Sequence, residues 1–203
     1  MARVIVSEFL SADGVMQAPG GSEEDRSEGF EHGGWQMQRP DQEIGEFVVG
    51  GLREAGGFLL GRRTYDIFAG YWPHQREDTL IAPLMNSKPK YVASRTLQNP
   101  LEWESSTVLG PDLAAEVNGL RAAPGGDILV IGSGDLVQSL ARDGLVDEYR
   151  LMIYPVMLGG GKRLFRDGLP MRGLRLTDSR TTPNGVVILT YEPAEDGQGG
   201  GGE

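Results

Sequence analysis

The chain has 203 residues, the size of one compact domain with a single hydrophobic core. Its formal net charge of -10 disfavours nucleic acid or an anionic membrane surface as a partner, because both require clustered Lys and Arg. The absence of cysteine excludes disulfides, thiolate metal sites and a cysteine nucleophile. No apolar run approaches the ~20 residues of a membrane helix and no signal-like segment precedes the first strand, so we expect a cytoplasmic protein.

Apolar runs and helical patterns alternate along the chain. Strands are predicted at RVIVSEFL, GFLLG, PKYVAS, DILVIG and DEYRLMIYPVML, followed by LRLTDSRTT and GVVILTYEP. Helices are predicted at 41–55, 64–71, 112–122 and 135–142. The alternation indicates parallel strands with crossover helices, and Pro183-Asn184-Gly185 indicates an antiparallel hairpin at the end. The expected fold is therefore α/β, with a mixed, mostly parallel central sheet and helices on both faces.

Two stretches lack a regular pattern. Residues 17–40 are too long for an ordinary connection and predict either a functional lid or a disordered insertion; the aromatic residues Phe30 and Trp35 favour a lid. The terminal EDGQGGGGE is glycine-rich and acidic, which is typical of a flexible tail. We therefore expect one domain over 1–193 and a tail over 194–203.

Two strand-glycine-helix turns carry the strongest functional signal. In LLGRRTYD, Gly61 allows close backbone approach, Arg62 and Arg63 offer bidentate donors, and Thr64 can cap the helix or bond an oxygen. A solvated surface turn is an equally good interpretation of this stretch alone. In VIGSGDLV, the residues around Ser133 leave room for a ligand, although a tight turn capped by serine explains them too. Two such turns in one domain favour a phosphate site.

Other common sites are not indicated. A Rossmann fingerprint requires a third small residue where Val137 stands, and no Walker P-loop occurs. His32 and His74 are the only histidines and show no ligand spacing, so we expect no metal site.

Several motifs occur in the order found in the dihydrofolate-reductase-like superfamily: SADGVM, LLGRRTYD, YVASRTL, VIGSGDLVQSL followed by LVDEYRL, and PVMLGGGKRLF. From residue 3 to about residue 191, the chain more closely resembles the RibD C-terminal domain family. The type activity of that family is NADPH-dependent reduction of 5-amino-6-(5-phosphoribosylamino)uracil in riboflavin biosynthesis. The resemblance implies a dihydrofolate-reductase-like three-layer fold, NADPH as cofactor and a small-molecule substrate.

The resemblance also implies site residues. The first turn would bind the adenosine-side phosphates, with Arg62 contacting the 2'-phosphate. The end of the third predicted strand would complete this site. The second glycine turn would support the pyrophosphate and nicotinamide, and two residues after the first strand would lie along the nicotinamide. The implied cofactor residues are Gly61, Arg62, Thr64, Ser94, Arg95, Gly132, Ser133, Gly134, Asp135, Leu136, Val15 and Met16.

Two residues are candidates for the reaction centre. Asp13 matches the family's turn after the first strand, although a turn-forming aspartate explains it on its residue type alone. Trp35 could cover the substrate or could only hold its loop in place. Lys162 or Arg163 could meet a substrate phosphate, or belong to an exposed loop.

One departure from true dihydrofolate reductases concerns the first helix, where Gly45 stands near the position of their acidic side chain. Asp41, Glu43 and Glu46 are close in sequence, but the helix register is open.

The favoured function is an NADPH-dependent reductase of a small heterocyclic or sugar-linked substrate. The alternatives are a dihydrofolate or pterin reductase and a non-catalytic nucleotide-binding module. We also expect a homodimer, because YRLMIYPVML is apolar on both faces and family members commonly pair through strands of this region.

Overall fold

The structure is a computed structural model that describes residues 1–76 and 78–194. Eight strands form one sheet: β1 (Val4–Ser11), β2 (Gly57–Gly61), β3 (Lys90–Ala93), β4 (Ser106–Val108), β5 (Ile128–Ile131), β6 (Glu148–Tyr154), β7 (Leu174–Thr181) and β8 (Val187–Pro193). Five α-helices connect them: α1 (Gln42–Glu54), α2 (Arg62–Ala69), α3 (Ala82–Ser87), α4 (Leu113–Ala122) and α5 (Gly134–Arg142).

The sheet has the strand order β4-β3-β2-β5-β1-β6-β8-β7. The first six strands in this order pair in parallel, whereas β8 pairs antiparallel with both β6 and β7. The predicted α/β fold with a mostly parallel mixed sheet and a final hairpin is confirmed. Because parallel strands end at the same edge, the turns after β1, β2, β3 and β5 are neighbours in space.

Helices pack on both faces of the sheet. Alternate β1 residues such as Val4 and Val6 form one core cluster with Val117 of α4 and Leu140 of α5. On the other face, Leu52 of α1 joins a second cluster with residues of α2 and α3. This arrangement follows from the period of two in a strand, which sends alternate side chains to opposite faces.

Several boundaries differ from the sequence-based expectation. β6 ends at Tyr154, since Pro155 has no amide to continue the ladder, so Val156, Met157 and Leu158 lie in a loop. The short elements α3 and β4 were not predicted. α2 begins at Arg62, two residues before the predicted start. Within residues 1–76 and 78–194, no helix combines the length and apolar character that crossing a bilayer would need.

Residues 17–40 are folded against the body of the protein. Phe30 and Trp35 are buried in a third core cluster with Val15 and Tyr154. The Trp35 indole nitrogen donates to the Gln17 carbonyl at 2.8 Å, and its ring meets Tyr154 edge-on at 5.6 Å. The disordered alternative for this segment is therefore wrong. The predicted tail lies outside the described residues, apart from residue 194.

Candidate functional site

The helices α2 and α5 begin at the carboxyl ends of the adjacent strands β2 and β5, and no described side chain caps either start. By contrast, α1 is capped by Asp41, which accepts from the amides of Glu43 and Ile44. Asp112 caps α4 in the same way. The first amides of a helix have no internal partner, so α2 and α5 present a paired set of unsatisfied donors at one edge of the sheet.

The two turns are joined directly to each other. The Gly61 amide donates to Ser133 Oγ at 2.9 Å, and the Ser133 amide donates to Thr64 Oγ1 at 2.9 Å. Ser133 has left-handed backbone angles, with φ at 63° and ψ at 40°, a conformation in which a residue other than glycine is strained. The structure thus brings together Gly61, Thr64, Gly132, Ser133 and Gly134, but two of these polar groups are already bonded within the protein.

The arginines of the first turn point in different directions. Arg62 is 57% exposed, and its Nε lies 3.4 Å from Asp66 on the next turn of α2. Arg63 donates from Nη1 to Ser27 Oγ in the 17–40 segment at 3.2 Å. Arg62 is therefore available to solvent and ligand, whereas Arg63 connects the turn to the segment.

The end of β3 supplies a second cationic position beside the first. Gly61 pairs with Ala93 in the ladder, so Ser94 and Arg95 follow at the same edge as Arg62. Ser94 Oγ accepts from the amides of Thr96 and Leu97 and closes a local turn. Arg95 is exposed. Arg62 and Arg95 therefore follow two adjacent parallel strands at one edge of the sheet, and their role in an adenosine-side clamp stays a prediction.

Asp13 holds two loops together. Its carboxylate accepts from Ser11 Oγ at 2.7 Å and from the amides of Leu158 and Gly159 at 3.1 and 2.9 Å. The Ser11 hydroxyl bond, followed by these backbone bonds, lowers the pKa of Asp13 to about 2. Such a carboxylate is ionised at neutral pH and cannot donate a proton, so its bonds support the turn-forming interpretation.

The other residues predicted near the nicotinamide are largely buried. Val15 belongs to the cluster around Phe30, and Met16 packs with its sulfur near Gly134. Trp35 is 4% exposed and is bonded to its own segment, which supports its role as a loop support and not as a substrate cover.

The remaining two residues of the second turn also have clear positions. The Asp135 side chain is almost fully exposed and pairs with Arg166 at 2.6 Å. Leu136 is buried in the core, so only its backbone amide belongs to the edge. Ligand binding at this turn would therefore involve backbone amides more than side chains.

A cleft between α1 and the sheet lies beside the second turn. It is small, with a volume of about 30 Å³, room for one or two water molecules, and Ile131 in its wall is followed directly by Gly132. Its lining combines aromatic, small and polar side chains, among them Ser7, Phe9, Phe47, Gly51, Ile131 and Arg150.

The structure shows which residues of α1 face the cleft, and so whether an acidic side chain stands where true dihydrofolate reductases have one. The residues of α1 that line it are Phe47, Val48, Gly51 and Leu52. Glu43 and Glu46 are exposed, and Asp41 is the helix cap. No Asp or Glu belongs to the described lining, where the only charged side chain is Arg150.

Two charged residues near the site were missed by the sequence analysis. Arg150 lies inside β6 and donates from Nε to Glu148 at 2.6 Å. Glu8 lies inside β1, is 4% exposed, and has one carboxylate oxygen buried without a hydrogen-bond partner among the described residues. Burial raises the pKa of Glu8 well above its ordinary value, and the Gly132 amide partly opposes this shift. For both Arg150 and Glu8, the signal in the sequence was a charged residue within an apolar strand.

Comparisons with known proteins agree with this architecture. The model of the RibD C-terminal domain matches residues 2–188. The uncharacterized YyaP protein of Bacillus subtilis (strain 168) is 32% identical over 192 residues, which cover 93% of this chain and 94% of YyaP.

Solved structures share the fold at low identity. A protein ascribed to riboflavin biosynthesis from Shewanella sp. PV-4 has a TM-score of 0.72 and 21% identity, covering 96% of this chain and 99% of its own. A pyrimidine reductase-like protein from Corynebacterium diphtheriae has a TM-score of 0.67 and 15% identity, covering 96% and 93%. The family model, which covers nearly the whole chain, shows that the chain belongs to the RibD C-terminal domain family.

Proposed function

We propose that the protein is an NADPH-dependent reductase that transfers hydride to a C=N or C=O bond of a small heterocyclic or sugar-linked substrate. The observation that carries the proposal is the pair of uncapped helix starts, α2 and α5, side by side at one edge of the sheet. Such an edge favours bound phosphate oxygens. The family membership and the reductase-like structural relatives support the same activity.

The residues at this edge fit a dinucleotide phosphate. The amides at the starts of α2 and α5 would face the pyrophosphate, while Arg62 and Arg95 would face the adenosine-side phosphate. The glycines of the second turn let it pack closely against Thr64 and Met16. The bonds from Gly61 to Ser133 and from Ser133 to Thr64 hold both turns in place before any ligand binds.

The protein's contribution to the reaction would be orientation and exclusion of water. The bound cofactor would supply a hydride, and a proton from solvent would complete the reduction, since no carboxyl group lines the described cleft.

The alternatives are less well supported. A pterin reductase would need an acidic side chain facing the ring, and the part of α1 that lines the cleft has none. A non-catalytic nucleotide-binding module would bind the cofactor without turnover, and the family membership and reductase-like relatives favour the enzyme over it.

Turnover assays would separate these functions. NADPH consumption is followed with 5-amino-6-(5-phosphoribosylamino)uracil and, separately, with dihydrofolate. We expect oxidation of NADPH with the first substrate or a related heterocycle and none with dihydrofolate. Faster turnover of dihydrofolate would favour the folate alternative, and NADPH binding without turnover of any pyrimidine or pterin would favour the binding module.

A further inference from the structure

Glu8 is a carboxyl group buried beside the second turn. Ser7 pairs with Ile131 in the ladder between β1 and β5, so Glu8 and Gly132 follow side by side at the carboxyl edge. Glu8 is 4% exposed, and its Oε1 atom has no hydrogen-bond partner among the described residues. No ion pair in the part of the chain that the structure describes includes Glu8. A desolvated carboxylate without a cation is costly, so these surroundings favour the neutral acid.

The neighbours of Glu8 on its face of the sheet are apolar. Side chains alternate along β1, so Glu8 faces the same way as Val6 and Leu10, which belong to the core cluster that packs against α5. Leu151, its ladder partner on β6, belongs to the same cluster. The Gly132 amide favours the charged form of the carboxyl, but burial outweighs it and raises the pKa of Glu8.

The ionisable groups around Glu8 do not offer it a positive charge. Glu24, in the segment between β1 and α1, carries a negative charge that raises the pKa of Glu8 further. Tyr149 of β6 is buried in the same core cluster, and burial raises the pKa of its phenol, so it remains neutral. Asp135 of α5 is exposed and pairs with Arg166. The carboxyl of Glu8 therefore has reasons to stay neutral and none to ionise beyond one backbone amide.

The second turn would be sensitive to a negative charge at Glu8. The first turn of α5 contains Asp135 and no Lys or Arg, so it attracts an anion through backbone amides. A helix start provides roughly half an elementary positive charge, which a full carboxylate beside it would outweigh. Resting on the proposed function, we propose that Glu8 must be neutral for the second turn to hold the cofactor pyrophosphate.

Glu8 is then a positioning residue that links cofactor binding to its own protonation. Affinity for the cofactor is full below the folded pKa of Glu8 and falls as the pH rises through it, and binding at alkaline pH takes up a proton. NADPH and NADH both carry the pyrophosphate, so the effect is common to the two cofactors. It is therefore distinct from recognition of the 2'-phosphate by Arg62.

Calorimetric titrations of NADPH and NADH test this link. Wild type, Glu8→Gln and the exposed control Glu31→Gln are titrated from about pH 6 to about pH 9.5. Because glutamine stays neutral, the affinity of Glu8→Gln relative to wild type should rise at least about tenfold across this range, for both cofactors. Glu31→Gln should follow wild type. In buffers of different ionisation enthalpy, wild type should take up protons on binding at alkaline pH, and Glu8→Gln should not.

The variant Glu24→Gln separates titration of Glu8 from a change in packing. It removes a charge that raises the pKa of Glu8, so the loss of cofactor affinity should begin at a lower pH than in wild type. Thermal unfolding of each variant at each pH identifies the samples that are folded. The inference is overturned if wild type and Glu8→Gln have parallel pH profiles, or if Glu24→Gln does not move the profile to lower pH. Cofactor binding with parallel profiles contradicts this inference alone, whereas no binding of either cofactor at any pH contradicts the proposed function as well.

Discussion

Two carboxyl groups, Glu8 buried in β1 and Asp13 partly exposed in the turn after it, have opposite electrostatic environments. Asp13 receives three hydrogen bonds and has a lowered pKa, whereas Glu8 has an unpartnered buried oxygen and a raised pKa. The difference follows from the bonds each group accepts, because hydrogen bonds favour the charged form and burial disfavours it. The two residues should therefore affect stability in opposite directions as the pH changes.

Replacing Glu8 with Gln should stabilise the protein at neutral pH. The folded pKa of Glu8 is raised, so wild-type stability falls as the pH rises above the ordinary glutamate value, and a neutral amide removes that dependence. We expect a higher Tm for Glu8→Gln at about pH 7 and a smaller gain at about pH 4.5. Thermal unfolding at both pH values measures this, with exposed Glu31→Gln as control. An equal gain at both values would show that the charge of Glu8 is not the cause.

Replacing Asp13 with Asn should destabilise the protein at neutral pH. The folded pKa of about 2 lies below the ordinary aspartate value, so the stabilisation is fully present above about pH 4 and is lost as the pH falls toward 2. Losing charge-assisted bonds should cost about 1.5–3 kcal/mol in the free energy of unfolding.

Urea unfolding at neutral and acid pH measures the effect of Asp13→Asn. The control Asp78→Asn breaks an exposed ion pair with Arg76 and should change stability little. A cost at neutral pH no greater than that of the control would contradict the structural role of Asp13.

At the scale of elements, the 17–40 segment is connected to the start of α2 through polar contacts. Lys162 donates to Asp25 at 2.6 Å and to Ser27 at 2.5 Å, and Arg63 of α2 also donates to Ser27. A ligand that binds the start of α2 would therefore act on this segment through Arg63. The predicted role of the segment as a lid depends on this connection.

Replacing Lys162 with Met should loosen the segment. We expect faster amide hydrogen exchange across residues 17–40 than in wild type, because the Lys162 side chain no longer bonds to Asp25 and Ser27. The matched control is Arg166→Met, which removes an exposed ion pair of the same 2.6 Å length. In wild type, adding NADPH with a candidate substrate should slow exchange in this segment. Unchanged exchange on addition of both would remove the lid interpretation.

Local chemistry made some elements predictable from sequence. Asp41 and Asp112 cap α1 and α4 close to the predicted starts, and Pro183-Asn184-Gly185 joins β7 and β8 as the turn residues indicate. The short β4 was missed because three residues give too little pattern. The residues that join the two turns are separated by about seventy positions, so only the fold reveals that Ser133 bonds both Gly61 and Thr64. Arg150 was missed because a lone charge in an apolar strand does not indicate what it faces.

At the scale of the whole molecule, β7 is an open edge of the sheet. All eight of its residues are exposed, including Leu174 and Leu176 at 40% and 49%. β6, on which the homodimer prediction was based, lies between β1 and β8, so its backbone has no open edge. An exposed edge with apolar side chains favours pairing with a second copy, and we propose that β7 is the contact.

Light scattering tests the homodimer directly. We expect a mass near twice the 22.0 kDa of the chain at micromolar concentration. Leu176→Lys should shift the mass toward the monomer, since it places a charge at the proposed contact, whereas Leu80→Lys, at an exposed loop position away from β7, should not. A wild-type mass equal to one chain would contradict the proposal.

The most direct test of the cofactor assignment, on which the proposed reductase depends, is a calorimetric titration of NADPH and NADH into wild type and Arg62→Ala, with exposed Arg53→Ala as control. Wild type should bind NADPH more tightly than NADH, and Arg62→Ala should lose roughly ten- to a hundredfold in NADPH affinity with little change for NADH. The wild-type preference should shrink as ionic strength rises, because Arg62 is partly exposed. An equal loss for both cofactors would mean that Arg62 supports the turn only, and no binding of either cofactor by wild type would contradict the assignment itself.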